Sequence, residues 1–340
     1  MLPNPPGSNP LTGAAFFIDG PRHGAAAGAI ARLLGMDPAS FPDNESWADF
    51  DSRVVPRALA QHPQAASQVH ALEKIGREPE VQRVSEFTGG GVPGAISNEV
   101  NKIICGNMSA DPGSIPVFQT YFAQPNGHAC GSKGQLRGYF SKFKRQVDEL
   151  TAAIGPRPAL LLLELDGVAL SHCYKGGARK AYEKELRYEV GATAALPHAV
   201  VYVEGGYSDA NSARYTARVL NAIGVGRIRG FFTNDTHLNW TIDEVRWANK
   251  VSAKTHGAHF IVNTAQNGNG PLRPHNRRKK GNEVLCNPPG RGLGPMPTTN
   301  TGFPHADAWM WTSVPGNSSG HCHGGPETPR RYLRSHLIDP

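Results

Sequence analysis

The chain has 340 residues, 39% of them hydrophobic, enough to bury a large core within one domain. Its formal charge of +7 is moderate, and the densest basic run, Arg277-Arg278-Lys279-Lys280, sits in a Pro/Gly/Asn-rich stretch without interleaved aromatics, which argues against a nucleic-acid partner. No run of 18 apolar residues occurs, so no membrane-spanning helix is expected. Met1-Leu2-Pro3 lacks the charged start and apolar stretch of a secretory leader, so any leader is expected to have been removed already.

In chain order, short apolar strands alternate with longer helical patterns. Ala15 to Asp19 reads as a first strand and Gly24 to Leu34 as an Ala-rich helix. Val81 to Phe87 reads as a strand, Ser97 to Cys105 as helical, and Pro116 to Tyr121 as a strand. Further strands are expected at Ala159 to Glu164, Ala199 to Glu204, Ile228 to Phe232, His259 to Asn263 and Ala308 to Trp311. Between them lie helical patterns at Leu136 to Ile154, Ala178 to Val190, Asp209 to Ile223 and Thr241 to Thr255. Continuous Val/Ile/Leu/Phe runs are what strands buried on both faces require, and alternation with helices makes the sheet parallel. That pattern predicts an α/β fold, either a βα barrel or a doubly wound sheet, with function at the carboxyl ends of the strands. The last roughly 70 residues are Pro/Gly/Asn-rich, too long for a connector, and read as a loop system covering a cleft.

The irregular segment from Leu285 to Gly302, Cys-Asn-Pro-Pro-Gly-Arg followed by Pro-Thr-Thr-Asn-Thr-Gly, has neither helical nor strand periodicity. It resembles the C-terminal signature of glycoside hydrolase family 6, the inverting cellulases. Leu163 to Leu170 is similar to that family's Glu-Pro-Asp-Ala-Leu block, and Gly230 to Asn234 with His259 to Pro271 extends the likeness. The resemblance runs from about Asn9 to Pro326 and implies one catalytic domain over 9–330, with terminal extensions at 1–8 and 331–340. It implies a distorted seven-stranded parallel βα barrel, a saccharide-binding cleft and a monomer without cofactor. Five cysteines spaced unlike a zinc knuckle argue against a metal. The resemblance pairs Cys130 with Cys173 and Cys286 with Cys322, as suits a secreted protein. Cys105 is left over and is expected to be a buried, unreactive thiol. Sequons stand at Asn44, Asn107, Asn234, Asn239 and Asn317.

Asp166 falls on the family's catalytic acid, directly after a strand. Inverting hydrolysis needs a carboxylic acid to protonate the leaving oxygen, and a strand-end Asp in a desolvated cleft suits that role. The alternative reading is an Asp that caps the next helix. Other family positions have changed. The Arg-Asp-Cys triplet reads His128-Ala129-Cys130, and the Lys, Glu and base Asp of the last signature read Ser313, Asn317 and Ser319. Asp-Ala-Gly-His has become Glu204-Gly205-Gly206-Tyr207. Replacement bases to weigh are Glu204, Glu86, Asp235 and His128. Substrate contacts are expected from Tyr121, Tyr207, Asn234, Trp240, Asn267 and Trp311, because sugar rings stack on aromatic faces.

The resemblance implies an inverting hydrolase of a β-1,4-glucan or related glycan. Loss of several charged positions implies weak or absent action on cellulose, and opens the alternative of an impaired relative that binds or helps assemble a polysaccharide. Exchanging Lys, Glu and two Asp for neutral groups also predicts better tolerance of acidic glycans.

Overall fold

The computed structural model describes residues 7–42, 45–123, 130, 132–271 and 290–315. His128, Cys286, Cys322, Arg277 to Lys280, and the sequons at Asn44 and Asn317 lie outside the described residues.

The chain opens with four helices, α1 (Ala25–Leu33), α2 (Trp47–Arg53), α3 (Val55–Gln61) and α4 (Ala66–Gly76). Strands and helices then alternate as β1 (Gln82–Ser85), α5 (Ala95–Ala110), β2 (Val117–Tyr121), α6 (Lys133–Ile154) and β3 (Ala159–Leu163). They continue as α7 (Gly167–Leu170), α8 (Gly176–Thr193), β4 (Ala199–Glu204), α9 (Ala213–Ile223), β5 (Gly230–Thr233), α10 (Thr241–Ser252), β6 (His259–Asn263) and β7 (Ala306–Met310). All seven strands pair in parallel in sequence order, and no β1–β7 pairing closes the sheet among the described residues. The expected seven-stranded parallel sheet is present as an open barrel.

Local chemistry explains the element ends. Ser132 accepts from the Gln135 amide while the Gln135 side chain accepts from the Ser132 amide, a reciprocal cap that starts α6. Leu136, Phe143, Val147, Leu150 and Ile154 then recur at helical spacing and bury one stripe of that helix. At α9 the Ser212 side chain accepts from the Tyr215 amide, a one-way cap, and Gly224, at φ 94°, ends the helix.

Period-two alternation along the strands sorts side chains between two layers. Leu161, Leu163, Val201, Val203, Phe231, Phe260 and Val262 face the helices in the larger core. Leu160, Leu162, Val200, Tyr202, Phe232, Ile261, Ala308 and Met310 converge in the barrel interior. Each fully buried Leu or Phe contributes about 1.5–3 kcal/mol, so the two layers together select this register. The interior's lower end holds Asp307, which accepts from Arg229 Nε at 2.7 Å and the Tyr202 hydroxyl at 2.6 Å, with His259 Nδ1 3.0 Å away.

Several expectations are corrected. Ala15 to Asp19 is not a strand and makes one bridge, Phe16 to Ile115. From Val117 onward both edges of β2 are occupied, by β1 and β3, so the earlier segment has nothing further to pair with. The last strand begins at Ala306, two residues earlier than expected, so Trp311 falls beyond it. Trp311 is 2% exposed and packs with Ala26, Phe50, Leu72 and Ala265 in the core of the four-helix unit, where it presents no face to a sugar. Cys130 and Cys173 are bonded, with Cα atoms 6.1 Å apart. Cys105 is exposed rather than buried, because it lies on the outward side of α5 while Val100 and Ile104 take the core. The sequons at Asn234 and Asn239 are buried, which leaves no room for an attached glycan in the folded chain.

Candidate functional site

The site is built on the turn after β3. Glu164 and Asp166 both adopt left-handed backbone, at φ 58° and 59°, and the turn is tight enough that a Cβ on Gly167 would meet Glu164 Cβ at 2.8 Å. Left-handed Glu and Asp cost of order 1 kcal/mol each and persist where the surroundings over-determine them. The surroundings do so here. Glu164 Oε1 and Oε2 accept from the amides of Phe122 and Ala123, each at 2.8 Å, tying β3 to the loop after β2. Burial raises the Glu164 carboxyl to about 7.

Asp166 occupies the N-cap position of α7, yet its side chain makes no capping bond. The amides it would cap are taken by Glu204, whose Oε2 accepts from Val168 N at 2.8 Å and Ala169 N at 3.0 Å while Oε1 accepts from Gly206 N. Glu204 is fully buried, and burial, with the nearby Asp166 charge second, pushes its carboxyl well above the usual range. With both oxygens held by backbone amides, Glu204 is a brace for the Asp166 turn. The expectation that it serves as the relocated base is therefore withdrawn.

Freed from capping, the half-buried Asp166 carboxyl is held by side chains instead. The Tyr207 hydroxyl donates to Oδ1, and Thr236 Oγ1 lies 3.0 Å from the same oxygen and 2.6 Å from the Tyr207 hydroxyl. Among the described residues no donor reaches Oδ2. A carboxyl held in this way presents one oxygen that can carry a proton toward a ligand. Burial, followed by the Asp166 charge, raises the Tyr207 phenol well above its ordinary value, so it remains a donor.

Asp235, just beyond β5, is the second carboxylate at the barrel mouth. Oδ2 accepts from Gln119 Nε2 at 2.8 Å, Oδ1 accepts from the Thr312 hydroxyl, and Arg83 Nε donates to Gln119 Oε1 at 2.9 Å. The carboxyl is 3% exposed, and burial raises it to about 7, with the Asp166 charge adding and Arg83 opposing. Glu86 has other partners: its Oε2 lies 3.3 Å from Lys142 Nζ and accepts from the Tyr139 hydroxyl at 3.0 Å.

The remaining expected contacts separate by exposure. Trp240 is 41% exposed at the start of α10, its indole lying so close to Gly270 that a Cβ there would meet the ring at 2.1 Å. Tyr121 ends β2 in the same mouth, where burial and then the charges of Asp166 and Glu164 raise its phenol. Tyr207 is 3% exposed and serves Asp166 rather than a stacking face. Asn234 is fully buried, its amide donating to Asn239 O at 3.1 Å and Asn263 O at 3.0 Å. Asn267 Nδ2 donates to Asn239 O at 2.8 Å. Both asparagines clamp the loops after β5 and β6, because an irregular backbone buried at the mouth needs its carbonyls satisfied. Thr236, Thr312 and Gln119 were not foreseen. The alternating strand pattern puts Gln119 inward, and that was the one signal available for it. Among the described residues no group of His, Cys, Asp and Glu is arranged to hold a metal. Surface depressions of about 290 and 570 Å³ lie on the four-helix unit and share no residue with this site.

With that geometry in place, residues 46–334 match glycosyl hydrolases family 6. The chain belongs to that family. It is 31% identical over 258 residues to endoglucanase 1 of Streptomyces sp. (strain KSM-9), covering 74% of this chain and 67% of that protein. It is 31% identical to endoglucanase A of Cellulomonas fimi, covering 63% of this chain and 44% of the relative. The chain thus spans about half to two thirds of these relatives' own length. Among solved structures, the endoglucanase Cel6 from Mycobacterium tuberculosis, in complex with methyl-cellobiosyl-4-deoxy-4-thio-beta-D-cellobioside, superimposes with a TM-score of 0.72 at 26% identity, covering 96% of this chain and 97% of that one. Endoglucanase CEL6B from Humicola insolens shares the fold with a TM-score of 0.66, covering 95% and 94%. Family members of this kind have a distorted barrel, and the open seven-stranded sheet agrees with it.

Proposed function

We propose that this chain is an inverting hydrolase of a β-1,4-glucan or related glycan, with Asp166 as the general acid. The observation that carries the reading is that Glu204 takes over the helix cap and leaves Asp166 held on one oxygen, at the barrel mouth, with no donor to the other oxygen among the described residues. As the leaving oxygen takes the proton, Asp166 becomes anionic, and the Tyr207 donor strengthens to meet that charge.

Of the carboxylates weighed as base, Asp235 fits best. Each of its oxygens takes one neutral donor and keeps a lone pair for a water, and a carboxyl raised to about 7 is matched to proton abstraction near neutrality. Inversion requires the two carboxyl groups to stand roughly 6.5–9.5 Å apart with the water between. His128 remains an alternative base. Trp240, exposed at the start of α10, would supply a stacking face. The Cys130–Cys173 bond supports action outside the cell, where disulfides persist.

Ordinary cellulose is expected to be a poor substrate. The family's base position is Ser319, and Ser313, at its lysine position, accepts from Asn263 Nδ2 at 3.2 Å. Positioned acid and base groups are worth about 10²–10⁴-fold each, so turnover of carboxymethylcellulose should be at least roughly 100-fold below that of the family endoglucanases. A reducing-end assay across cello-oligosaccharides, mixed-linkage glucan and uronic-acid oligosaccharides tests this. Turnover of one class, abolished by Asp166→Asn, supports the hydrolase. Tight binding with no turnover of any class, in wild type as in the variant, would instead favour a glycan-binding relative.

A further inference from the structure

Behind Tyr207 lies a second layer that the acid–base reading does not use. The His237 imidazole stacks on the Tyr207 ring with centroids 3.8 Å apart and planes 11° from parallel. Its Nδ1 is 2.8 Å from Asp209 Oδ1, and the same oxygen accepts from Asn239 Nδ2 at 2.7 Å. Both the His237 and Asp209 side chains are about nine-tenths buried, at 9% and 10% exposure. Asp209 comes from the loop between β4 and α9 and His237 from the loop between β5 and α10, so the pair ties together the two loops that carry Tyr207 and Thr236.

We propose that Asp209 and His237 form a positioning pair for Asp166, acting through Tyr207: the clamped imidazole fixes the phenol ring whose hydroxyl holds Asp166 Oδ1. This rests on the reading of Asp166 as the acid. A tyrosine ring pivots about two side-chain torsions, and its hydroxyl swings through several ångströms unless both faces are held. A parallel stack at 3.8 Å removes that freedom on one face, and the bond to Asp209 in turn fixes the imidazole plane. Among the described residues, Glu244 packs behind the pair, feels the charge of Asp209 and accepts from Asn239 on Oε1, while the charges of Asp166 and Glu204 act on the Tyr207 phenol. No proton passes along the stack; the pair orients the donor.

The direct test follows the Asp166 carboxyl by carbon NMR in protein labelled at aspartate, its signal assigned by its loss in Asp166→Asn. Removing a donor to the charged form raises a carboxyl pKa. Tyr207→Phe is therefore expected to move the Asp166 midpoint up by about one unit, a factor of ten in proton affinity, and His237→Ala by a comparable amount. His237→Phe, which keeps a stacking face but not the bond to Asp209, should recover part of that shift and guards against a variant that fails to fold. Asp209→Asn should fall between His237→Phe and wild type. A midpoint that moves in Tyr207→Phe but stays at its wild-type value in both His237 variants overturns the proposal. The titration does not depend on turnover. A wild-type protein that hydrolyses nothing while its midpoint shifts as described refutes the hydrolase and leaves the positioning pair standing. Where turnover is present, His237→Ala should lower kcat about tenfold at nearly unchanged KM and move the basic limb of its pH profile upward.

Discussion

The two ends of the barrel handle buried carboxylates in opposite ways. At the lower end Asp307 meets a buried guanidinium from Arg229, the Tyr202 hydroxyl and His259, and these partners hold its carboxyl below the usual range despite burial. At the upper end Asp235 and Glu204 meet only amides, hydroxyls and a carboxamide, and burial drives both upward. The lower arrangement keeps its charge and closes the barrel floor. The upper one holds Asp235 near 7, close to the point where it exchanges protons at neutrality, and leaves Glu204 as a raised brace behind Asp166.

Breaking the lower site should therefore have the largest effect on stability. Arg229→Met leaves Asp307 buried without its cation and should cost about 3–5 kcal/mol in chemical denaturation, while Arg229→Met combined with Asp307→Leu should recover a good part of it. If the single substitution costs no more than a surface change, the floor is wetter than the buried geometry indicates.

The pH dependence separates the two ends further. Asp307, lowered, contributes stability that is present above its unfolded pKa near 3.8 and is lost as pH falls below it. Asp235 and Glu164, both raised to about 7, behave in reverse. The folded chain holds their protons through a window, from about pH 4 to 7, in which the unfolded chain has released them. Stability therefore falls as pH rises across that window, by on the order of 4 kcal/mol for Asp235 alone. Asp235→Asn should flatten the slope and stabilise the protein at pH 8 while removing activity. A slope that survives in Asp235→Asn unchanged would assign it to Glu164 and Glu185, the latter raised by burial to about 9.

The smallest effect is expected at the rim. Trp240→Ala should weaken oligosaccharide binding about tenfold, the value of one aromatic stacking contact, without altering the melting temperature. An unchanged affinity by calorimetry would rule Trp240 out as the platform.

Much of this architecture was legible in the chain itself. Leu160 to Leu163 and Ala199 to Val203 are apolar without interruption, and a strand sandwiched between helices and a barrel interior leaves no other pattern open to them. Asp166 was legible through its surrounding block. The helices from Trp47 to Gly76 were not read, although Ser46 accepts from the Asp49 amide at 3.1 Å and Val69, Leu72 and Ile75 follow helical spacing. The exchange of roles between Glu204 and Asp166 was beyond sequence reasoning, because it depends on a left-handed turn that brings amides 35 and 36 residues away onto one carboxylate. Arg229 and Asp307 likewise meet across 78 residues, a distance over which local pattern carries no information.

The most direct test of the acid and base assignment is the anomeric form of the first product, observed by proton NMR during hydrolysis of a cello- or mixed-linkage oligosaccharide on which wild type turns over. Inversion at a β-linkage with Asp166 as acid and Asp235 as base predicts α-anomer accumulating first, and its formation should drop by at least about 100-fold in both Asp166→Asn and Asp235→Asn. Initial β-anomer, or undiminished turnover in either variant, would contradict the account.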